Sequence, residues 1–376
     1  MKRIITLGVV LVLFVTKAFP CLNYYYATTK EGKAISLGDD WKVPYNKNFN
    51  PERNESKLKK LEAQLKKEHN YMLLSDYGVC LLKLGKTQEA LEIFVELYKH
   101  YPNEYKIAAN LGTAYELSGQ VDSALKYIKR DMELNPNDHD GSEWVHVKVL
   151  EAKQQLAKNP DYLKDHTVLG LTEKQKNDTM VLKQLSIQLQ ERMPFSPEGK
   201  NEIMASLFTD LGDICYNIQA IEYALTYYDI AEEYYHGDFS ALGEKMKRVK
   251  KLKAKYAKVQ PPSMSDSIEG DANMVGYIPY SMIVEDNDAG HYKVDWSKIN
   301  INVASLLAMV DFANAPQTPA TMAGDKSDTL SKHNGPYQVE GAPAQPAPKN
   351  YSWFYVGGLL ALVVVGYLVF SKMKRK

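Results

Sequence analysis

The sequence predicts an all-α fold: a solenoid of stacked helical hairpins, followed by a flexible C-terminal tether and one transmembrane helix. Three observations predict it. A 34-residue period relates two adjacent segments in the middle of the chain. A Pro-, Ser-, Ala- and Gly-rich stretch follows that array. An uncharged run, Trp353 to Phe370, precedes a basic terminus.

The repeat is the most specific signal. Gly78 and Gly112, Gly85 and Gly119, Ala90 and Ala124, and Pro102 and Pro136 all stand 34 residues apart, as do the bulky Phe94 and Ile128. A fixed period of this size marks stacked supersecondary units that bury their apolar faces against one another. Gly78 and Gly112 fall inside a first helix, at a close approach to its neighbour. Gly85 and Gly119 end that helix, where absence of a Cβ permits a left-handed turn. Ala90 and Ala124 mark the crossing of the second helix, and Pro102 and Pro136 terminate it.

These positions resemble the tetratricopeptide repeat family. Leu74, Tyr77, Gly78, Leu81, Ala90, Phe94, Leu97 and Pro102 fill the signature of one unit, over about residues 71–104. Ala108, Leu111, Gly112, Tyr115, Ala124, Ile128 and Pro136 fill the next, over about 105–138, with Asp131 standing where a small residue is usual. Leu211, Gly212, Cys215, Ala224, Tyr228 and Ala231 fit a degenerate third unit, about 205–238, in which Gln219 and His236 replace the turn glycine and the proline. The array spans about residues 50–258. The chain is also similar to uncharacterised envelope tetratricopeptide proteins of double-membrane bacteria. The resemblance implies a concave surface of first helices that binds a protein or peptide along its length. The contact positions it implies are Asp76, Val79 and Lys83 in one unit, and Lys106, Asn110 and Thr113 in the next. Some members clamp a partner's terminal carboxylate with Lys and Asn on these helices. Ser75 and Val79 in the first unit and Ser206 and Asp210 in the third depart from that pattern, so the resemblance does not extend to that ligand.

Between the matched and degenerate units the register breaks. A helix is expected from about Ser142 to Ala157, then a polar loop of about twenty residues. A capping-box pattern at Thr172 to Gln175 leads into another helix ending near Arg192. Ser196-Pro197 reads as a helix start. A helix from Asn54 to His69 packs on the first unit. A basic helix, Lys245 to Lys258, closes the array: Met246, Val249, Leu252 and Tyr256 form its apolar stripe, and its outer face is solvated as a terminal cap requires. A patch for anionic lipid or an acidic partner is the sharper alternative.

The ends suggest placement. Lys2 and Arg3, the apolar run Ile4 to Val15, and Thr16-Lys17-Ala18 have the form of a secretory signal peptide over residues 1–20. An uncleaved anchor is the alternative, and Pro20 before Cys21 disfavours lipidation. Residues 21–49 form an N-terminal extension, and 259–350 a mostly disordered tether with an apolar island at Val303 to Phe312. Residues 351–371 are long enough to span a bilayer, with Tyr351 and Trp353 at one interface and Lys372, Lys374, Arg375 and Lys376 in a cytoplasmic tail, 372–376. The expectation is a single-pass protein of a bacterial inner membrane with its solenoid in the periplasm. Gly357 and Ala361 form a small-xxx-small pair suited to a homodimer through that helix.

Composition excludes more than it suggests. Equal numbers of Lys+Arg and Asp+Glu, 46 each, disfavour a nucleic-acid-coating protein. Three cysteines exclude an all-thiolate four-cysteine metal site within the chain. No Gly-x-Ser-x-Gly, phosphate loop or His-Glu-x-x-His is present. Asp138-His139-Asp140-Gly141 lacks the acidic residue at 136 and the Glu at 147 that a calcium hand needs, and reads as a turn before the Trp144 helix. Glu143-x-x-His146 is half of a bundle metal motif without its second half. Cys80 and Cys215 read as buried core residues. No catalytic residue, cofactor or metal is expected. The function this supports is an anchored extracytoplasmic scaffold that binds protein and performs no catalysis. The rival is an envelope enzyme or metal-binding protein using residues 138–166.

Overall fold

A computed structural model describes residues 25–37, 51–239, 241–256, 295–296 and 299–312. The chain divides into two units, Met1–Gly335 and Pro336–Lys376, and every described residue lies in the first. The signal peptide, Cys21, the span at 351–371 with Gly357 and Ala361, the basic tail and most of the tether lie outside the described residues. Among the described residues no helix is long and apolar enough to cross a membrane.

The array begins with α1 (Pro51–Glu68), which packs on a first hairpin of α2 (Tyr71–Lys83) and α3 (Thr87–His100). The second hairpin is α4 (Tyr105–Leu117) and α5 (Val121–Leu134). Both use the close crossing that the glycines imply. A Cβ on Gly78 would stand 2.7 Å from Phe94 Cζ, and one on Gly112 would stand 2.6 Å from Ile128 Cδ1. Gly85 and Gly119 adopt φ of +82° and +79°. Beside them Lys86 N–H bonds to Leu81 O and Gln120 N–H to Tyr115 O, closing the helix ends with a left-handed cap.

The third hairpin pairs α6 (Glu143–Lys158) with α8 (Thr179–Arg192), interrupted by the short α7 (Tyr162–Asp165). The fourth pairs α9 (Glu202–Ile218) with α10 (Ile221–Asp229), which continues as a π-turn, Ile230–Tyr234. Gly212 lies against the Tyr228 ring, as Gly78 lies against Phe94. Gln219 has φ −127°, so the left-handed cap of the first two hairpins is not repeated here. α11 (Leu242–Tyr256) closes the array, burying Leu242, Met246 and Val249 and pairing Lys245 Nζ with Asp213 Oδ2 at 2.7 Å. Lys247, Lys250, Lys251 and Lys255 stay exposed.

Three details correct the sequence-based expectations. The fold is not purely helical: β1 (Tyr25–Thr28) and β2 (Ala34–Leu37) form an antiparallel hairpin against α10, where Thr28 N–H donates to Glu222 Oε2 at 3.0 Å. The reciprocal Thr172–Gln175 capping box forms, but it opens only the turn Gln175–Asn177. α8 is capped separately by Asp178 Oδ1, which accepts from Met180 N–H. Ser196-Pro197 starts no helix. Gly199 and Asn201 N–H bond instead to Tyr234 and Tyr235 carbonyls, and Asn201 caps α9.

Within the stretch read as a tether, α12 (Val303–Leu307) docks on α3, burying Leu306 and Val310. His69 Nδ1 lies 2.6 Å from Met309 O, and the Phe312 ring stacks on His100. The apolar interior falls into two main clusters, one around hairpins one and two and one around hairpins three and four. Between them lies a small cluster of Ala124, Ile128 and Leu150.

Gly112→Val should destabilise the array. The added methyls meet Ile128, including its backbone N 3.2 Å from the Cβ position, so rotation of the isoleucine tip alone does not clear them. Overpacking of this kind costs about 1–3 kcal/mol. Thermal unfolding followed by circular dichroism should show a lower Tm; an unchanged curve contradicts the crossing.

Candidate functional site

Each first helix carries one stripe of side chains at i, i+4, i+7 and i+11, one face of a 3.6-residue helix. On α2 the stripe is Met72, Asp76, Val79 and Lys83. On α4 it is Lys106, Asn110, Thr113 and Leu117. Aligned on the crossing glycines, the α9 stripe is Ser206, Asp210, Asp213 and Asn217. This alignment corrects one expectation: Ser206 and Asp210 correspond to Met72 and Asp76, not to Ser75 and Val79.

The structure brings all six sequence-predicted residues onto two neighbouring stripes. Asp76 is exposed and forms a solvent-accessible ion pair with Lys57 at 3.5 Å. Val79 and Lys83 are half-buried, with Val79 resting on the first cluster. Lys106 is exposed, its ammonium 5.6 Å from the Tyr105 ring centroid. Asn110 donates its amide to Ser75 Oγ at 3.2 Å, linking the two first helices, and Thr113 is half-buried beside it. The sequence reading missed Met72. It is 57% exposed, the large apolar side chain that the first stripe leaves in solvent. Its signal was available, since it stands 34 residues before Lys106.

On α9 the same stripe is occupied by the chain itself. Val168 N–H donates to Ser206 Oγ at 2.8 Å, and Leu169 N–H donates to Asp210 Oδ2 at 3.3 Å. Asp213 accepts from Tyr228 OH and Lys245, and Asn217 Oδ1 accepts from Lys30 Nζ at 3.2 Å. The segment expected as a polar loop therefore lies against the fourth hairpin, with Leu163, Val168, Leu169 and Leu171 buried. Those four apolar residues were the legible sign that this loop is not a solvated one.

A second feature joins hairpins two and three: a buried polar seam. Glu116 accepts from Lys153 at 2.7 Å and Arg192 at 2.9 Å, and its other oxygen lies 2.6 Å from His146 Nε2. His146 Nδ1 lies 3.2 Å from Glu143, which also accepts from Gln188 and lies 2.8 Å from His139 Nδ1. Burial pushes Glu116 up, but Arg192, His146 and Lys153 together outweigh it and hold the carboxyl well below its ordinary range. Burial, then Asp138 and Glu143, push Asp131 up to about 9. Among the described residues, Asp138, His139 and Glu143 present donor atoms all within 4.8 Å of one another, an arrangement that could hold a metal ion. Cys80 and Cys215 are buried free thiols, and burial pushes both above the ordinary thiol value, which disfavours the thiolate form.

Comparison with known families fits this geometry. Residues 81–143 match the tetratricopeptide repeat model, from the end of α2 to the start of α6. The match supports tetratricopeptide-type repeats in that stretch, a class of repeat that in general mediates protein–protein interaction. A search of curated proteins found no match.

Asp210 gives the occupied stripe a pH signature. Burial pushes its carboxyl from 3.8 up to about 7, and Asp213 adds to the rise while Thr167, Leu169 N–H and Lys245 oppose it. The native state therefore holds a proton that the unfolded chain has released between about pH 4 and 7. Stability from this group is present at low pH and is lost as pH rises through that window, by at most roughly 4 kcal/mol. Asp210→Asn keeps an acceptor for Leu169 N–H without the charge. Its Tm advantage over wild type should widen between pH 4 and 7; a gap independent of pH contradicts the burial of this carboxylate.

Proposed function

We propose that the chain is a membrane-anchored, non-catalytic scaffold whose helical array stands outside the cytoplasm and binds a protein or peptide segment along the first-helix stripes of hairpins one and two. The observation that carries the reading is the cis segment on α9, where Ser206 and Asp210 take backbone N–H donors from Val168 and Leu169. A chain segment presenting successive backbone N–H groups is therefore a ligand that this stripe geometry accommodates, through backbone bonds that need no particular partner sequence. On α2 and α4 the equivalent positions are Met72, Asp76, Lys106 and Asn110. Met72, Asp76 and Lys106 are exposed, and Met72 offers an apolar anchor of the adaptable kind that partner surfaces use.

Anchoring rests on the apolar run Trp353 to Phe370 and the basic residues after it, and the outside location on the signal-like N-terminus. Protease added to spheroplasts should degrade the array while a tag at Lys376 survives. A protected array contradicts this topology.

The stripe is tested by recovering partners from detergent-solubilised membranes with the full-length chain. Met72→Glu, Asp76→Lys and Lys106→Glu together invert the stripe's character at exposed positions, where substitutions shift stability by less than about 0.5 kcal/mol each. Partner recovery, read by mass spectrometry, should fall about tenfold or more, a loss of about 1.4 kcal/mol, with the melting curve preserved. Equal recovery from the triple variant contradicts the stripe.

A further inference from the structure

We propose that hairpin one carries a second peptide site, a surface along α3 and beside His69 that takes an amphipathic helical segment by its apolar face, and that residues 295–312 are its resident, exchangeable occupant. The inference is independent of the first-helix stripes, which lie on α2 and α4, and rests on four observations.

The first is the path of the segment. Lys86, just before α3, holds its ammonium 4.9 Å from the Trp296 ring centroid. His100, the last residue of α3, stacks on Phe312 with ring centroids 4.2 Å apart. A helix of this length measures about 20 Å, so the segment follows α3 from one end to the other.

The second is its pattern. Val303, Leu306, Leu307 and Val310 fall at i, i+3, i+4 and i+7, one face of a helix. Leu306 and Val310 are buried in the first cluster, and Val303 and Leu307 are half-buried against it. Asn302, Ala304, Ser305 and Ala308 are exposed. An amphipathic helix bound in the groove of another protein presents the same division.

The third is the anchor. His69, which follows α1, has φ +52°, a left-handed conformation uncommon outside glycine. Its Nδ1 lies 2.6 Å from Met309 O, and its carbonyl accepts from Asp311 N–H at 3.2 Å. Both bonds go to backbone atoms of the segment, so they position it without reading its side chains. Selection falls to the apolar face and to the aromatic ring at each end.

The fourth is separability. α12 has five residues, far below the roughly 12–15 at which an isolated helix is even marginal. The segment therefore gains its helical form by docking. Beneath it, the other buried residues of the first cluster run from Leu58 to Ala114 and belong to α1 and the first two hairpins. His69 and His100 are exposed, so their contacts with the segment exchange readily for water. The array closes its own core, and the segment lies on that core as a ligand does.

The test uses the full-length chain in detergent and, as probe, a labelled synthetic peptide of residues 295–312. Leu306→Asp with Phe312→Ala releases the resident segment and leaves the surface beneath it unaltered. This variant should bind the probe saturably at one per chain. Wild type should bind it at least about tenfold more weakly, because the tethered segment competes at high effective concentration. A probe carrying Leu306→Asp should not bind. His69→Gly, added to the released variant, keeps the left-handed backbone and removes the imidazole, and should weaken probe binding several-fold. In the released variant, α2 to α5 should stay protected in hydrogen–deuterium exchange. Absence of saturable probe binding by the released variant overturns the proposal. Equal binding of the Leu306→Asp probe, or equal binding by wild type, overturns it too, because the probe then sits elsewhere. So does undiminished binding after His69→Gly. Loss of protection in α2 and α3 on release overturns it as well, because the segment is then part of the core and not a ligand.

Discussion

On each first helix of three hairpins, a glycine faces a bulky side chain sixteen positions on: Gly78 and Phe94, Gly112 and Ile128, Gly212 and Tyr228. The missing Cβ lets the second helix approach until its ring or branched side chain fills the space. That contact sets the angle of the hairpin, and the angle decides which residues of the first helix remain for other uses. The stripe of Met72, Asp76, Val79 and Lys83 and its equivalents follow from it. Ala90, Ala124 and Ala224, all fully buried, serve the same close approach.

The array uses this geometry differently along its length. Hairpins one and two leave their stripes accessible, while the fourth fills its own with residues 168 and 169 and with Lys30 from the N-terminal hairpin. Segments from opposite ends of the sequence cover opposite ends of the array. The β-hairpin before it lies on α10, and α12 after it lies on α3. The junction of hairpins two and three is unlike the others. There a polar seam around Glu116, His146 and Glu143 accompanies only a small apolar cluster, and the main interior is divided on either side of it. Removing one partner from such a buried ionic set is costly, because the remaining charges lose compensation.

Much of this was legible in the sequence, for physical reasons. A 34-residue period is carried by residues whose size is fixed by contact, and so Gly78, Gly112, Ala90 and Ala124 announce the crossing directly. The six stripe residues followed from the same register. Other features were hidden because tertiary contacts decide them. The β-hairpin is short and gains its place only by docking on α10. Ser196-Pro197 has the local form of a helix start, yet backbone bonds to Tyr234 and Tyr235 hold that segment irregular. The stretch between α6 and α8 looked polar because its charged residues outnumber the four apolar ones that anchor it. Asp131 was visible as a departure from the repeat, but its unpartnered carboxylate emerges only once the helices are packed.

Central to the account is that a first-helix stripe of this array holds a segment of chain by its backbone, and hydrogen–deuterium exchange of the intact protein reads this directly. Val168 and Leu169 lie in no helix or strand, so their amides have no protection from regular secondary structure. Slow exchange at these two amides, lost in Ser206→Ala and Asp210→Ala while α9 itself stays protected, is the predicted result. Exchange at the rate of exposed loop amides in the wild-type protein would contradict it.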